Sequence, residues 1–181
     1  MVSNVNGNRG IGRTQLSWDS RVKISLDSAK GIAHIHSEGD AKFTHGNIKS
    51  SNILPTQNLD GCVLDLGLAP LMNFIPTKSQ YIGYYAPEVI KTRKFTHQSD
   101  ICSFRVVLLV ILTGKAPLPT SGQDEVVDLL RWVRLVVWEE WTAEVFDVEL
   151  TKEQHVEEEM VQMLLTGLAC VTRVLDTRPS F

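Results

Sequence analysis

No stretch of this sequence stays apolar for long. The longest run, "VVLLVIL" from Val106 to Leu112, falls far short of the roughly 20 residues a bilayer-spanning helix needs. The N-terminus, "MVSNVNGNRGIGRTQLSWD", lacks the apolar centre of a signal peptide, so nothing in it directs secretion. Charge of one sign is also scarce. A net charge of -3 gives no whole-chain attraction to nucleic acid or to an anionic membrane surface. Cysteine is sparse: Cys62, Cys102 and Cys170 are odd in number, scattered and without a Cys-x-x-Cys pair. That spacing excludes the usual zinc and redox motifs, and the three read as small buried hydrophobes in a reducing, cytosolic setting.

What is present is ordinary globular material. In 181 residues, 43% are hydrophobic and 22% charged, enough for one domain with a real core and against disorder. Residues 1–15 are polar and rich in Gly and Asn, which predicts a flexible arm. "GNRGIG" within it has no preceding strand and the wrong glycine order for a phosphate-binding loop. From Leu16 to residue 181 the pattern is that of a folded domain.

Helical periodicity begins at Ser17. Ser17 or Asp19 can cap a helix whose apolar positions Val22, Ile24, Leu26, Ala29, Ile32, Ala33 and Ile35 run to His36, with Gly39 beyond its end. His34 and His36 have no third ligand at metal spacing and read as structural. Two brief apolar runs, Asn52 to Leu54 and Cys62 to Leu64, flank the turn-rich "PTQNLDG" and predict a small hairpin. Downstream, "ICSFRVVLLVILTG", "DEVVDLLRWVRLVV" and "EEEMVQMLLTGLACVTRVL" carry helical patterning. The expected fold is mainly α with one hairpin.

Ordered markers then fix a resemblance. "HGNIKSSN" from His45 is followed by "DLG" at Asp65, "APE" at Ala86, "SDICSF" at Ser99 and "TRP" at Thr177. Each motif is weak alone, but their order and intervals resemble the C-terminal lobe of a protein kinase. "SWDSRVKISLDSAKGIAHIHSEG" and "GYYAPEVI" are similar to the plant leucine-rich-repeat receptor-like kinases. No glycine-rich loop, Val-Ala-x-Lys strand or partnering glutamate helix precedes these markers, so the N-terminal lobe is absent from this sequence. The sequence also stops before the last helix the family usually carries, and a fragment or truncated product is expected.

The resemblance assigns the chemistry. Kinases hold two Mg²⁺ with the Asp of Asp-Phe-Gly and the catalytic-loop Asn, which fall on Asp65 and Asn52. Lys49 matches the phosphate-contacting lysine, and His45 a loop-bracing histidine. The catalytic base position carries Asn47, a neutral carboxamide that accepts hydrogen bonds but takes no proton. Gly46 replaces the motif's arginine. Leu66 stands for the Phe of Asp-Phe-Gly, and Tyr81 for a threonine that joins substrate to loop.

Arg105 stands where relatives carry glycine, and must reach solvent or strain the packing. Asp100, and an ion pair of Glu88 with Arg178, are expected to be structural. Together these departures point to a pseudokinase-type lobe that acts in signalling through other proteins, such as signalling kinases or receptors; the cytoplasmic face of the plasma membrane is the location the family resemblance alone implies. Mg²⁺ and ATP are the cofactors the resemblance implies, although this fragment is expected not to bind them. The alternatives are an ATP-dependent serine/threonine kinase whose N-lobe lies outside the chain, and a non-functional product.

Overall fold

The computed structural model describes residues 15–38, 43–67, 82–117, 129–139 and 143–169. The fold is mainly helical, with a two-stranded antiparallel sheet among the described residues. Helix α1 spans Trp18–Ser37 and is capped by Ser17, whose hydroxyl accepts from the Ser20 amide. That satisfies one of the free N–H groups of the first turn. Of the two capping candidates in the sequence, Ser17 serves and Asp19 lies inside the first turn.

The hairpin pairs β1 (Ile53–Pro55) with β2 (Gly61–Val63), with Ile53 opposite Val63 and Pro55 opposite Gly61. Both strands thus sit within one residue of their expected places. Gly61 has a steric reason: a Cβ there would run into the Ile24 carbonyl and the Ser28 hydroxyl of α1. The hairpin can lie against α1 only where it has no side chain. Cys62 corrects the expectation of three buried thiols, because it points outward from β2, while Cys102 is buried. Alternation along the strand explains this: Cys62 faces away from the face that Val63 packs on the core. Cys170 lies outside the described residues.

Helix α2 (Pro87–Thr92) opens with Pro at its first turn and ends on Arg93 in the left-handed conformation. Helix α3 (His97–Thr113) follows. Thr96 and Ser99 form a reciprocal capping box at its start, and Gly114, at φ +65°, ends it. Every residue from Ser99 to Thr113 is buried. A helix apolar all round belongs at the centre of a domain, and α1, α4 (Leu129–Glu139) and α5 (Glu157–Leu168) pack around it. The core joins Trp18, Ile24 and Ile32 of α1 to Phe104, Val107 and Leu112 of α3, Val133 of α4, and Met160 and Leu164 of α5.

One buried arginine ties the helices together. The Arg21 guanidinium donates to the Ile111 carbonyl at 2.6 Å, to Asp147 at 3.0 Å, to Glu149 at 3.1 Å and, through Nε, to the Leu16 carbonyl at 3.1 Å. Every branch of the side chain therefore meets an acceptor, the condition under which a buried charge is tolerated. Arg105 of α3 is the opposite case. It is 5% exposed, and its Nη1 has no hydrogen-bond partner among the described residues. Of the two fates expected for this arginine, the structure shows burial, not escape to solvent.

Candidate functional site

The segment from Phe43 to Asn52 has no regular secondary structure before its final 3-10 turn, Ser50–Asn52, so side chains must hold it. Asp100, on the first turn of α3 and 1% exposed, does most of this. Its Oδ2 accepts from the His45 amide at 2.7 Å and from His36 Nε2 at 3.0 Å, and its Oδ1 from the Gly46 amide at 2.8 Å. A carboxylate accepting buried N–H bonds is a strong and directional anchor. His36 in turn stacks on His97, with ring centroids 4.0 Å apart, and His97 Nε2 donates to the Phe43 carbonyl at 2.8 Å. The end of α1 and the start of α3 thereby fix the N-terminal flank of the loop.

Gly46 lies at φ +71°. A side chain there would cost roughly 1–2 kcal/mol of backbone strain, so the glycine relaxes the turn that presents residue 47.

His45 braces the loop from inside. Its Nδ1 accepts from the Asn47 amide at 3.2 Å, so Nε2 carries the proton and donates to the Leu64 carbonyl at 2.9 Å. Burial holds its pKa below the ordinary histidine value, against the nearby Asp100, which pulls it up. Asn52 closes the loop: its Nδ2 donates to the Asn47 carbonyl at 2.9 Å, and its own carbonyl accepts from the Leu64 amide at 2.8 Å. Leu64, just past β2, is thus bonded through its amide and its carbonyl, and the chain beyond it is delivered beside the loop.

Asp65 follows at φ +65°, exposed to solvent. Lys49 is half-buried, with its pKa lowered by burial while the charge of Asp65 pulls it up. The Asp65 carboxylate is thus near enough for its charge to act on Lys49. Asn52 and Asp65 supply hard oxygen donors, and Lys49 a cation, which is a donor set suited to Mg²⁺ and a phosphate chain.

One contact had no sequence signal. Ser50 Oγ and Tyr84 Oη lie 2.8 Å apart, both buried, and burial raises the phenol pKa. This bond joins the loop to the segment that leads into α2. Arg178 and Tyr81 lie outside the described residues. Glu88 sits half-buried in the first turn of α2, so its expected pairing with Arg178 remains an expectation. Leu64 and Leu66, 41% and 53% exposed, form an open apolar edge beside the site.

Comparison with known proteins follows the same outline. The family model for protein tyrosine and serine/threonine kinases matches residues 5–181. A probable inactive receptor kinase of Arabidopsis thaliana is 57% identical over 180 residues, which cover 97% of this chain and 28% of that protein. The leucine-rich repeat receptor-like protein kinase PXC1 of the same plant is 44% identical over 192 residues, 97% of this chain and 29% of PXC1. Among solved structures, the pseudokinase domain of BIR2, an immune regulator of the RLK/Pelle family, superposes with a TM-score of 0.73 at 32% identity. That match covers 92% of this chain and 50% of the BIR2 chain. The chain therefore spans under a third of the curated relatives named here.

Proposed function

The chain belongs to the protein kinase family, as a C-terminal-lobe segment of the receptor-like kinase type, and from that premise we propose that it is a pseudokinase lobe acting in signalling by protein contact. The observation that carries this reading is Asn47. Its backbone sits in a loop anchored through Asp100, His45 and Asn52, so the base position is well held, yet it carries a carboxamide with no proton affinity. General-base assistance contributes roughly a hundred- to ten-thousand-fold to such reactions. A loop that keeps its architecture without its base is suited to presenting a surface. The relatives described as inactive receptor kinases, and the BIR2 pseudokinase, support the same direction.

Its partners on this reading are other proteins, receptor or signalling kinases, met at the cytoplasmic face of the plasma membrane. Among the described residues no helix is long and apolar enough to cross a membrane.

Mg²⁺, when bound, would neutralise phosphate charge, and Asn52, Asp65 and Lys49 are the residues that would hold it and the phosphates. In kinases the Gly-rich loop that covers the phosphates and a second lysine belong to the preceding lobe. The 181-residue chain is expected to bind Mg²⁺–ATP no tighter than about millimolar, the weak end of measurable affinity. Titration calorimetry with Mg²⁺ and ATP tests this, and a micromolar dissociation constant would overturn it.

The retained Lys49, Asn52 and Asp65 favour a second reading, an ATP-dependent serine/threonine kinase with its other lobe outside this chain. Phosphotransfer by a complete kinase domain that keeps Asn47 would decide for it.

A further inference from the structure

We propose that two copies of this lobe associate by seating the outer face of α4 from one copy in the cleft between α1 and α5 of the other. Helix α4 is two-sided. Its Leu129 and Val133 are buried, and Leu130, Trp132, Val136 and Val137 pack against the same core, so the fold asks nothing of the opposite side. That side carries Arg131, Arg134, Leu135 and Trp138, all exposed and spaced i, i+3, i+4 and i+7, which puts them on one stripe. Trp138 is 90% exposed and Leu135 48%. Tryptophan is highly buried on average, and Trp with Arg is the composition of an interface anchor.

The cleft is the complementary surface. It measures about 540 Å³, within the roughly 300–1,000 Å³ of sites that enclose large apolar groups. Val22 and Leu26, one turn apart on α1, line it with Met163 of α5 and the buried Phe104 and Leu108 of α3. Val22 and Leu26 are themselves exposed in the single lobe, so an apolar occupant would remove them from water.

Charge selects the occupant. Glu158 and Glu159, in the first turn of α5, line the cleft, and no lysine or arginine does among the described residues. Glu159 accepts from Trp18 Nε1 at 2.6 Å, whereas Glu158 is exposed. The cleft is thus acidic toward the start of α5 and apolar toward Met163, and the α4 stripe is basic toward Arg131 and apolar toward Trp138. Laid in the cleft, Trp138 and Leu135 meet the apolar part and Arg131 approaches Glu158, a helix-in-groove contact with matched charge. One helix face makes a small interface, and a dissociation constant of about 10–100 µM is expected.

Sedimentation velocity on the 181-residue chain, from about 5 to 200 µM so as to bracket that constant, tests this. The sedimentation coefficient of the parent should rise with concentration. Trp138→Ala and Leu26→Arg each change an exposed side chain, one on the stripe and one in the cleft, and each should weaken association by about tenfold or more. An equal mixture of the two should form a species of two chains, because the first variant keeps its cleft and the second its stripe. If either variant loses its helical circular dichroism, Leu135→Glu or Val22→Arg replaces it and is read in the same way. The proposal is overturned if the parent stays monomeric throughout, if the stripe variant associates as well as the parent, or if the mixture stays monomeric. A monomeric parent that binds vesicles of anionic lipid through Trp138 would give the stripe to a membrane surface, and overturn it too.

Discussion

Asp100 holds His45 by its backbone: the carboxylate, on the first turn of the central helix, accepts the His45 amide at 2.7 Å across 55 residues of sequence. The same group takes the Gly46 amide and the His36 ring, so the loop that carries Asn47 is positioned by the helical base of the lobe. On the proposed pseudokinase reading, the anchor of the loop is kept while its base position carries Asn47.

Replacing Asp100 by Ala should therefore be costly. The His45 and Gly46 amides would be left buried without acceptors, at about 1–3 kcal/mol each, and a total loss of about 3 kcal/mol or more is expected. Urea denaturation followed by circular dichroism measures it; a loss under about 1 kcal/mol would show that the loop finds other acceptors.

The Arg21 and Asp147 side chains, 4% and 5% exposed, lie 3.0 Å apart. Arg21→Met should destabilise the lobe by about 3–5 kcal/mol because it removes the buried cation that faces the Asp147 carboxylate. The double variant with Asp147→Leu should lose clearly less than the sum of the single losses. Additive losses in the same denaturation assay would mean that the pair is not coupled.

His45 gives the lobe a pH dependence of known sign. Burial lowers its folded-state pKa below the unfolded value of about 6.5, so at low pH the unfolded chain takes up the proton more readily than the folded one. Its contribution to stability is complete above about pH 6.5 and is lost as pH falls toward and through the lowered folded pKa. Denaturation midpoints between pH 7.5 and 5 should fall, and His45→Gln should flatten that slope. An unchanged slope in the variant would assign the effect to other groups.

How much of this was legible in the sequence varies with the range of the interaction. Local signals read well: Ser17 as a cap, the period of α1, and a hairpin around "PTQNLDG" placed within one residue. The hairpin slipped because strands so short have their ends fixed by Gly61 meeting α1, a tertiary contact. The loop residues His45, Asn47, Lys49 and Asn52, with Asp65 and Asp100, were picked out through family order, and geometry supplies the bonding of His45, Asn47, Asn52 and Asp100. Arg21 with Asp147, and Ser50 with Tyr84, were not legible, being pairs far apart in sequence with no periodic signature. Cys62 was misjudged because a three-residue strand gives too little alternation to show which face is open.

The most direct measurement places this lobe, with Asn47 or with Asn47→Asp, behind the ATP-binding lobe of an active receptor-like kinase and compares phosphotransfer at saturating Mg²⁺–ATP. On the proposed reading, Asp100, His45 and Asn52 already hold the loop and the carboxamide of Asn47 is the main lesion. The Asn47→Asp chain should be faster by about a hundredfold or more, the lower end of general-base effects. Equal rates in the two chains, with the Asn47 form transferring phosphate at an ordinary kinase turnover, would contradict the account of this lobe as a pseudokinase.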